Sequence, residues 1–223
     1  MVQPDFLEAG ASGPLVVLVH SGASGARQWR RLTDDLKDHY RVRAVNLFGY
    51  GATPPWPADA TQSIADQARL VEGAIPADAD EVSLVGHSLG GLALRDCVKA
   101  CGARGEWETA AERFANYWGG AGSWQAMSPE RRAAFAQAIR PNFHEWDAVM
   151  GETTPAEEWA RTLPCATLAL YDPGTVLPIR EIAAILRATC PTWRHQEVPG
   201  VGHMAPLTRP DVINPIIGSF LDA

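Results

Sequence analysis

Val82-Ser83-Leu84-Val85-Gly86-His87-Ser88-Leu89-Gly90 is the stretch on which the reading of this chain turns. Glu81 to Val85 reads as a short strand ending at Gly86, and Leu89 to Val98 reads as a helix. Ser88 therefore falls on a strand-to-helix turn, with Gly86 and Gly90 two residues away on either side. Such a turn leaves no room for side chains at the flanking positions, and its strained backbone lifts the serine hydroxyl clear of the sheet. The five-residue pattern alone arises by chance in roughly one chain in fifteen of this length, with glycine and serine each about 7 % of residues. Its placement supplies the weight. A serine at a helix N-terminus faces backbone amides that stabilise developing negative charge.

Outward from this turn, strand and helix alternate. Leu15 to His20 is an apolar, β-branched run expected to be a strand buried on both faces. Trp29, Leu32 and Leu36 put one apolar stripe on a helix over Arg27 to Asp38. Arg41 to Asn46 is a second strand, and Phe48 to Pro57 is too rich in glycine and proline to continue it. Ile64, Ala68, Val71 and Ile75 predict a helix within Thr61 to Ile75. Later come a strand at Cys165 to Tyr171, a helix at Ile179 to Ala188, a strand at Trp193 to Val198 and a helix at Pro215 to Leu221 capped by Asn214. This order predicts an α/β fold, a mostly parallel sheet with helices on both faces.

Between Glu106 and Arg161 the pattern becomes helical and rich in tryptophan: Trp107, Trp118, Trp124, Trp146 and Trp159. The expected organisation is a core of residues 1–105 and 162–223 with a helical cap inserted at 106–161. The indoles have two readings, as core of the insertion or as a lid lining a substrate pocket with Trp118 and Trp124. Trp29 and Phe48, beside the loops nearest the serine, likewise either line the pocket or pack.

At 223 residues, with 46 % apolar and 20 % charged side chains, the chain has room for one core with an insertion. A net charge of −7 and a pI near 5.3 argue against nucleic acid or anionic membrane as a main partner. The first residues lack signal-peptide features and no apolar run is long enough to span a bilayer, so the expected location is cytoplasmic. Cys97, Cys101, Cys165 and Cys190 fit reduced thiols, although Cys97 and Cys101 stand one helical turn apart. His20, His87 and His144 form no ligand cluster with nearby carboxylates, so no metal is expected, and His20 is expected to order its own loop. No internal repeat is present.

Three further stretches accompany the serine turn: Leu18-Val19-His20-Ser21-Gly22, Gly49-Tyr50-Gly51-Ala52-Thr53 and Gly202-His203-Met204-Ala205-Pro206. Together and in this order they resemble the α/β-hydrolase superfamily, specifically its short esterase-like members, over nearly the whole chain outside the insertion. The resemblance implies Ser88 as nucleophile and His203 as general base, with the glycines of Pro199 to Gly202 letting His203 reach the serine. It also implies an oxyanion hole from the Leu89 amide and from Gly22. Ser21 is a competing donor, because it stands where the family usually has glycine after the histidine.

For the third member of the triad the residues offer more than one candidate. Asp172, just after the strand Cys165 to Tyr171, lies between Ser88 and His203 in the order the fold requires, although the family usually places the acid a few residues later. Other members carry it after a strand that follows the nucleophile helix. Here Lys99 to Gly105 leads directly into helix-like sequence. An omitted segment between about Cys101 and Glu106 is one hypothesis, which intact mass would test. Asp147 is an alternative acid, although Asp147 and Asp96 also read as solvated helix residues.

The resemblance thus implies a serine hydrolase that cleaves a small, apolar, ester-like substrate through an acyl-enzyme without a cofactor. Carbon–carbon bond hydrolysis, cofactor-independent haloperoxidase-like activity and non-hydrolytic binding or signalling use the same fold and are alternatives. Dimerisation through exposed tryptophans of the insertion is a further expectation.

Overall fold

The computed structural model describes residues 2–79, 81–88, 92–163 and 166–223, with the side chains of 92–97 excepted. The chain opens with β1 (Phe6–Ala9), β2 (Leu15–Val19), a 3-10 turn (Ala26–Trp29), α1 (Arg30–Leu36), β3 (Arg41–Val45), α2 (Ile64–Glu72) and β4 (Val82–Gly86). Five helices follow: α3 (Leu92–Ala103), α4 (Trp107–Gly119), α5 (Pro129–Ala138), α6 (Asn142–Gly151) and α7 (Ala156–Thr162). The C-terminal part comprises β5 (Leu168–Tyr171), α8 (Leu177–Thr189), β6 (Arg194–Glu197), α9 (Ala205–Thr208) and α10 (Pro210–Leu221).

β2 is the hub, as its unbroken apolar run requires. It pairs in parallel with β3, Val16 opposite Val42, and with β4, Val17 opposite Leu84. Leu15, Val16, Val17 and Leu18 are at most 1 % exposed. One face packs Val16 and Leu18 against Trp29, Leu32 and Leu36, with Ile213 and Ile217 of α10. The other packs Leu15 and Val17 against Ala74, with Phe6, Val71 and Ile75. Helices on both faces are what the alternation predicted. β1, not anticipated in the sequence, adds antiparallel to β3, so the sheet is mixed, in the order β1-β3-β2-β4.

One element differs from expectation. The last helix begins at Pro210, whose fixed φ suits a first turn, and Pro215 lies inside it. Asn214 is therefore no cap; its Nδ2 donates to Asp35 Oδ2 at 2.7 Å and ties α10 to α1. From α3 the chain passes through a turn at 104–106 directly into α4, with no strand between them. β4 accordingly has no strand partner on the side away from β2 among the described residues, and Leu84 is 65 % exposed. β5 and β6 pair in parallel as a separate sheet.

The helices α4 to α6 gather a second core. Trp124 and Trp146 are buried there with Phe114, Ile139, Val98 and Ala23, and Trp107 and Trp118 pack against them. Ala23 belongs to the loop after β2, so this core reaches the strand ends where the serine stands.

Candidate active site

β4 ends at Gly86, and Ser88 adopts a left-handed backbone with φ 51°. Non-glycine residues pay about 1–2 kcal/mol for that conformation, which over-determined surroundings must supply. The strain aims the side chain: Ser88 Oγ donates to His203 Nε2 at 2.5 Å. His203 sits on the loop between β6 and α9, where Gly200 (φ 76°) and Gly202 (φ 74°) provide the left-handed turns that a side chain would resist. Burial, with a smaller contribution from His87, lowers the His203 pKa to about 4. Its imidazole is thus neutral at pH 7, with Nε2 ready to take a proton and the ring proton on Nδ1.

The ring is held on two sides. Trp118 stacks on it, centroids 4.5 Å apart, and His87 lies at 5.2 Å. His87 Nε2 donates to the His203 carbonyl at 2.9 Å, which fixes the backbone of the loop. Burial lowers the His87 pKa to about 4, so this donor is a neutral imidazole.

Asp172 follows β5 and is 6 % exposed. Its Oδ2 accepts from the Gly202 amide at 2.6 Å and its Oδ1 from the Gly174 amide at 2.8 Å. Burial pushes its pKa up, but the amides of Gly202, Gly174, Gly200 and Val201 together outweigh that and hold it below the ordinary carboxylate value. No hydrogen bond joins Asp172 to His203 among the described residues. The carboxylate organises the histidine's loop rather than its ring. Asp147, the alternative acid, forms an ion pair with Lys99 at 2.6 Å.

The Ser21 amide donates to Gln28 Oε1 at 3.1 Å, and its hydroxyl donates to the same oxygen at 2.7 Å. The Gly22 amide has no acceptor among the described residues. Leu89 lies outside the described residues. His20 orders the loop after β2 as anticipated: Nδ1 donates to the Ser21 carbonyl at 2.8 Å and Nε2 accepts from the Leu47 amide at 3.1 Å.

Ser88, His203, Ser21 and Gly22 line one small cavity together with Phe114, Trp118, Trp146 and Met204. Of the four aromatics proposed for substrate contact, Trp118 alone lines it. Trp29 is 2 % exposed within the core beneath the sheet, its ring edge toward His87. Phe48 packs edge-on against Trp56, and Trp124 is buried in the second core beneath the Arg132 guanidinium. Sequence reasoning missed three residues of this region. Asn142 and Glu145, one turn apart on α6, are buried against Tyr50 of the glycine-rich loop, and the Tyr50 hydroxyl accepts from the Ala23 amide at 2.8 Å. Among the described residues no group of three or more His, Cys, Asp or Glu side chains could hold a metal ion.

A mainly parallel sheet with a serine turn at a strand end and a histidine loop opposite it defines a class of protein. The chain belongs to the alpha/beta hydrolase family, whose model matches residues 16–216. It is 38 % identical over 95 residues to the 2-hydroxy-6-oxo-6-(2'-aminophenyl)hexa-2,4-dienoic acid hydrolase of Metapseudomonas resinovorans, covering 40 % of this chain and 32 % of that protein. It is 29 % identical over 135 residues to the pimeloyl-[acyl-carrier protein] methyl ester esterase of Vibrio vulnificus, covering 59 % of this chain and 49 % of that one. The match thus spans less than half the length of either relative. Among solved structures, a hydrolase from Pseudomonas aeruginosa superposes with a TM-score of 0.81 at 18 % identity, covering 99 % and 98 % of the two chains. The enol-lactonase of Burkholderia xenovorans gives 0.76 at 14 % identity, covering 99 % and 96 %. Among the described residues no helix is long and apolar enough to cross a membrane.

Proposed function

We propose that this chain is a serine hydrolase acting on a small ester-like substrate of apolar character. The observation that carries the reading is the 2.5 Å hydrogen bond from the strained Ser88 to a neutral His203 inside one cavity. Ser88 Oγ attacks the carbonyl carbon as its proton passes to His203 Nε2, and the tetrahedral oxyanion is stabilised by the Gly22 amide with the Leu89 amide. Collapse expels the alcohol, which takes the proton from His203. Water, deprotonated by the same nitrogen, then frees the acid and restores Ser88. The apolar wall of Phe114, Trp118 and Trp146 supports an apolar acyl group. With no acid hydrogen-bonded to Nδ1 among the described residues, imidazolium stabilisation rests on Trp118 stacking, which predicts a slower enzyme than a complete triad gives.

Hydrolysis of 4-nitrophenyl esters of two to eight carbons tests this reading. Turnover by the wild-type chain, lost by about a thousandfold or more in Ser88→Ala and His203→Ala, is the expected result. Turnover that survives Ser88→Ala contradicts it. Carbon–carbon bond cleavage is the second reading, and it rests on similarity to the dienoic acid hydrolase.

A further inference from the structure

Glu145 is 5 % exposed and takes no part in the acyl transfer above. Its Oε2 accepts from Asn142 Nδ2 and, at 3.3 Å, from the Tyr50 hydroxyl. The Tyr50 oxygen itself accepts from the Ala23 amide at 2.8 Å and from Asn142 Nδ2 at 3.1 Å, so its single proton is directed at Glu145. Oε2 is therefore an acceptor, and a proton held by this carboxyl resides on Oε1. Oε1 is buried and has no partner. An unsatisfied polar atom of this kind carries a desolvation cost that a hydrogen-bonding ligand can recover. Glu145 lines the same cavity as Ser88 and His203, among Phe114, Trp118, Trp146 and Val149.

Resting on the serine-hydrolase reading, we propose that Glu145 is a specificity-determining residue that donates a hydrogen bond from Oε1 to a ketone oxygen in the acyl chain of the substrate, beyond the scissile carbonyl. Burial, partly offset by the Tyr50 and Asn142 hydrogen bonds, pushes the carboxyl up to about 7, so the donor is present below that pH. Ionisation at higher pH replaces it with a charge that repels the ketone oxygen. The surrounding ionisable groups are few. Tyr50 is pushed well above its ordinary value and stays neutral, and His203 is neutral above about 4. Glu72 of α2 faces an adjacent apolar cavity that Glu145 also lines, and Lys99, Asp147 and His144 lie on the α3 side of α6.

The test is binding to the Ser88→Ala protein, followed by tryptophan fluorescence and so independent of hydrolysis. The ligands are the methyl esters of hexanoic acid and of its 3-, 4- and 5-oxo derivatives. One oxo isomer should bind about tenfold tighter than hexanoate at pH 5.5, and most of that advantage should vanish at pH 8.5. In Glu145→Gln the amide N–H replaces the acid proton and the advantage should persist at both pH values. Equal or weaker binding of every oxo ester at pH 5.5, or an advantage unchanged at pH 8.5 in the Glu145 protein, overturns the proposal. The two pH values decide this even if Glu145→Gln fails to fold. Fluorophosphonate labelling of wild-type Ser88 separately decides the hydrolase reading.

Discussion

Ser88 and Ala23 are the non-glycine residues with left-handed backbone among those described, at φ 51° and 61°; Ser88 lines the cavity and Ala23 directly follows Gly22, which lines it too. Strain gathered at one place is how a scaffold fixes a nucleophile and the loop facing it. Ser88 was legible because the glycine spacing that permits its turn is local. Glu145 was not, because a glutamate on a helix ordinarily faces water; its burial depends on Tyr50, ninety-five residues away. The signal available was the Asn142 and Glu145 spacing of one turn, which is too common to single out. Two predictions belong to this scale. With His203 lowered to about 4 by burial, protonation blocks its role as base only below that value, so kcat/KM for plain esters should fall with an acid limb near pH 4; a limb near 6.5 contradicts this. In Gly22→Ala a Cβ would stand 2.8 Å from Asn142 Nδ2 and 3.2 Å from Glu145 Oε2. Asn142 is buried and held by Tyr50 and Glu145, so the strain is expected to fall on the loop although its amide remains, and kcat should drop by about tenfold or more, as for a displaced oxyanion donor. An unaltered kcat would remove Gly22 from the site.

At the scale of elements, β2, β3, β4 and the helices α1, α2 and α8 were readable from runs and stripes of apolar residues, within a few residues at their ends. β1 escaped notice because four residues are too short to establish a period and only its pairing with β3 makes it a strand. The absent strand between α3 and α4 was visible as a gap in the alternation, and its cost appears as the exposed Leu84. Asp172 was placed correctly after β5, but its hydrogen bonds go to the amides of the two loops, a contact that no spacing reveals. Asp172→Asn weakens the acceptors that join the loop after β5 to the histidine loop. Charge-assisted hydrogen bonds contribute about 1.5–3 kcal/mol each, so the variant should lose about 2 kcal/mol in urea unfolding. It should also turn over esters more slowly, through displacement of His203. Unchanged stability would mean that the two loops are held by other contacts.

For the whole molecule, buried His20 and partly buried His87 and His203 set the response to acid. His20, His87 and His203 are each lowered from 6.5 to about 4, chiefly by burial. Between those values the unfolded chain binds protons that the folded one refuses, so stability falls as pH drops from 6.5 to 4. Glu145, raised from 4.5 to about 7, acts oppositely: the folded chain keeps a proton that the unfolded one releases, and this stability is lost as pH rises from 4.5 to 7. Three histidines outweigh one glutamate, so the melting temperature should climb from pH 4.5 to 6.5; a flat or falling trend would contradict the neutral imidazoles. We propose that Ser88 is activated through His203, whose ring has no carboxylate partner among the described residues. The most direct test is labelling of the folded chain with a fluorophosphonate, with the adduct located by mass spectrometry. The expected result is an adduct on Ser88 that forms far more slowly in His203→Ala and still forms in Asp172→Asn. Absence of any adduct on Ser88 in the folded wild-type chain would contradict it.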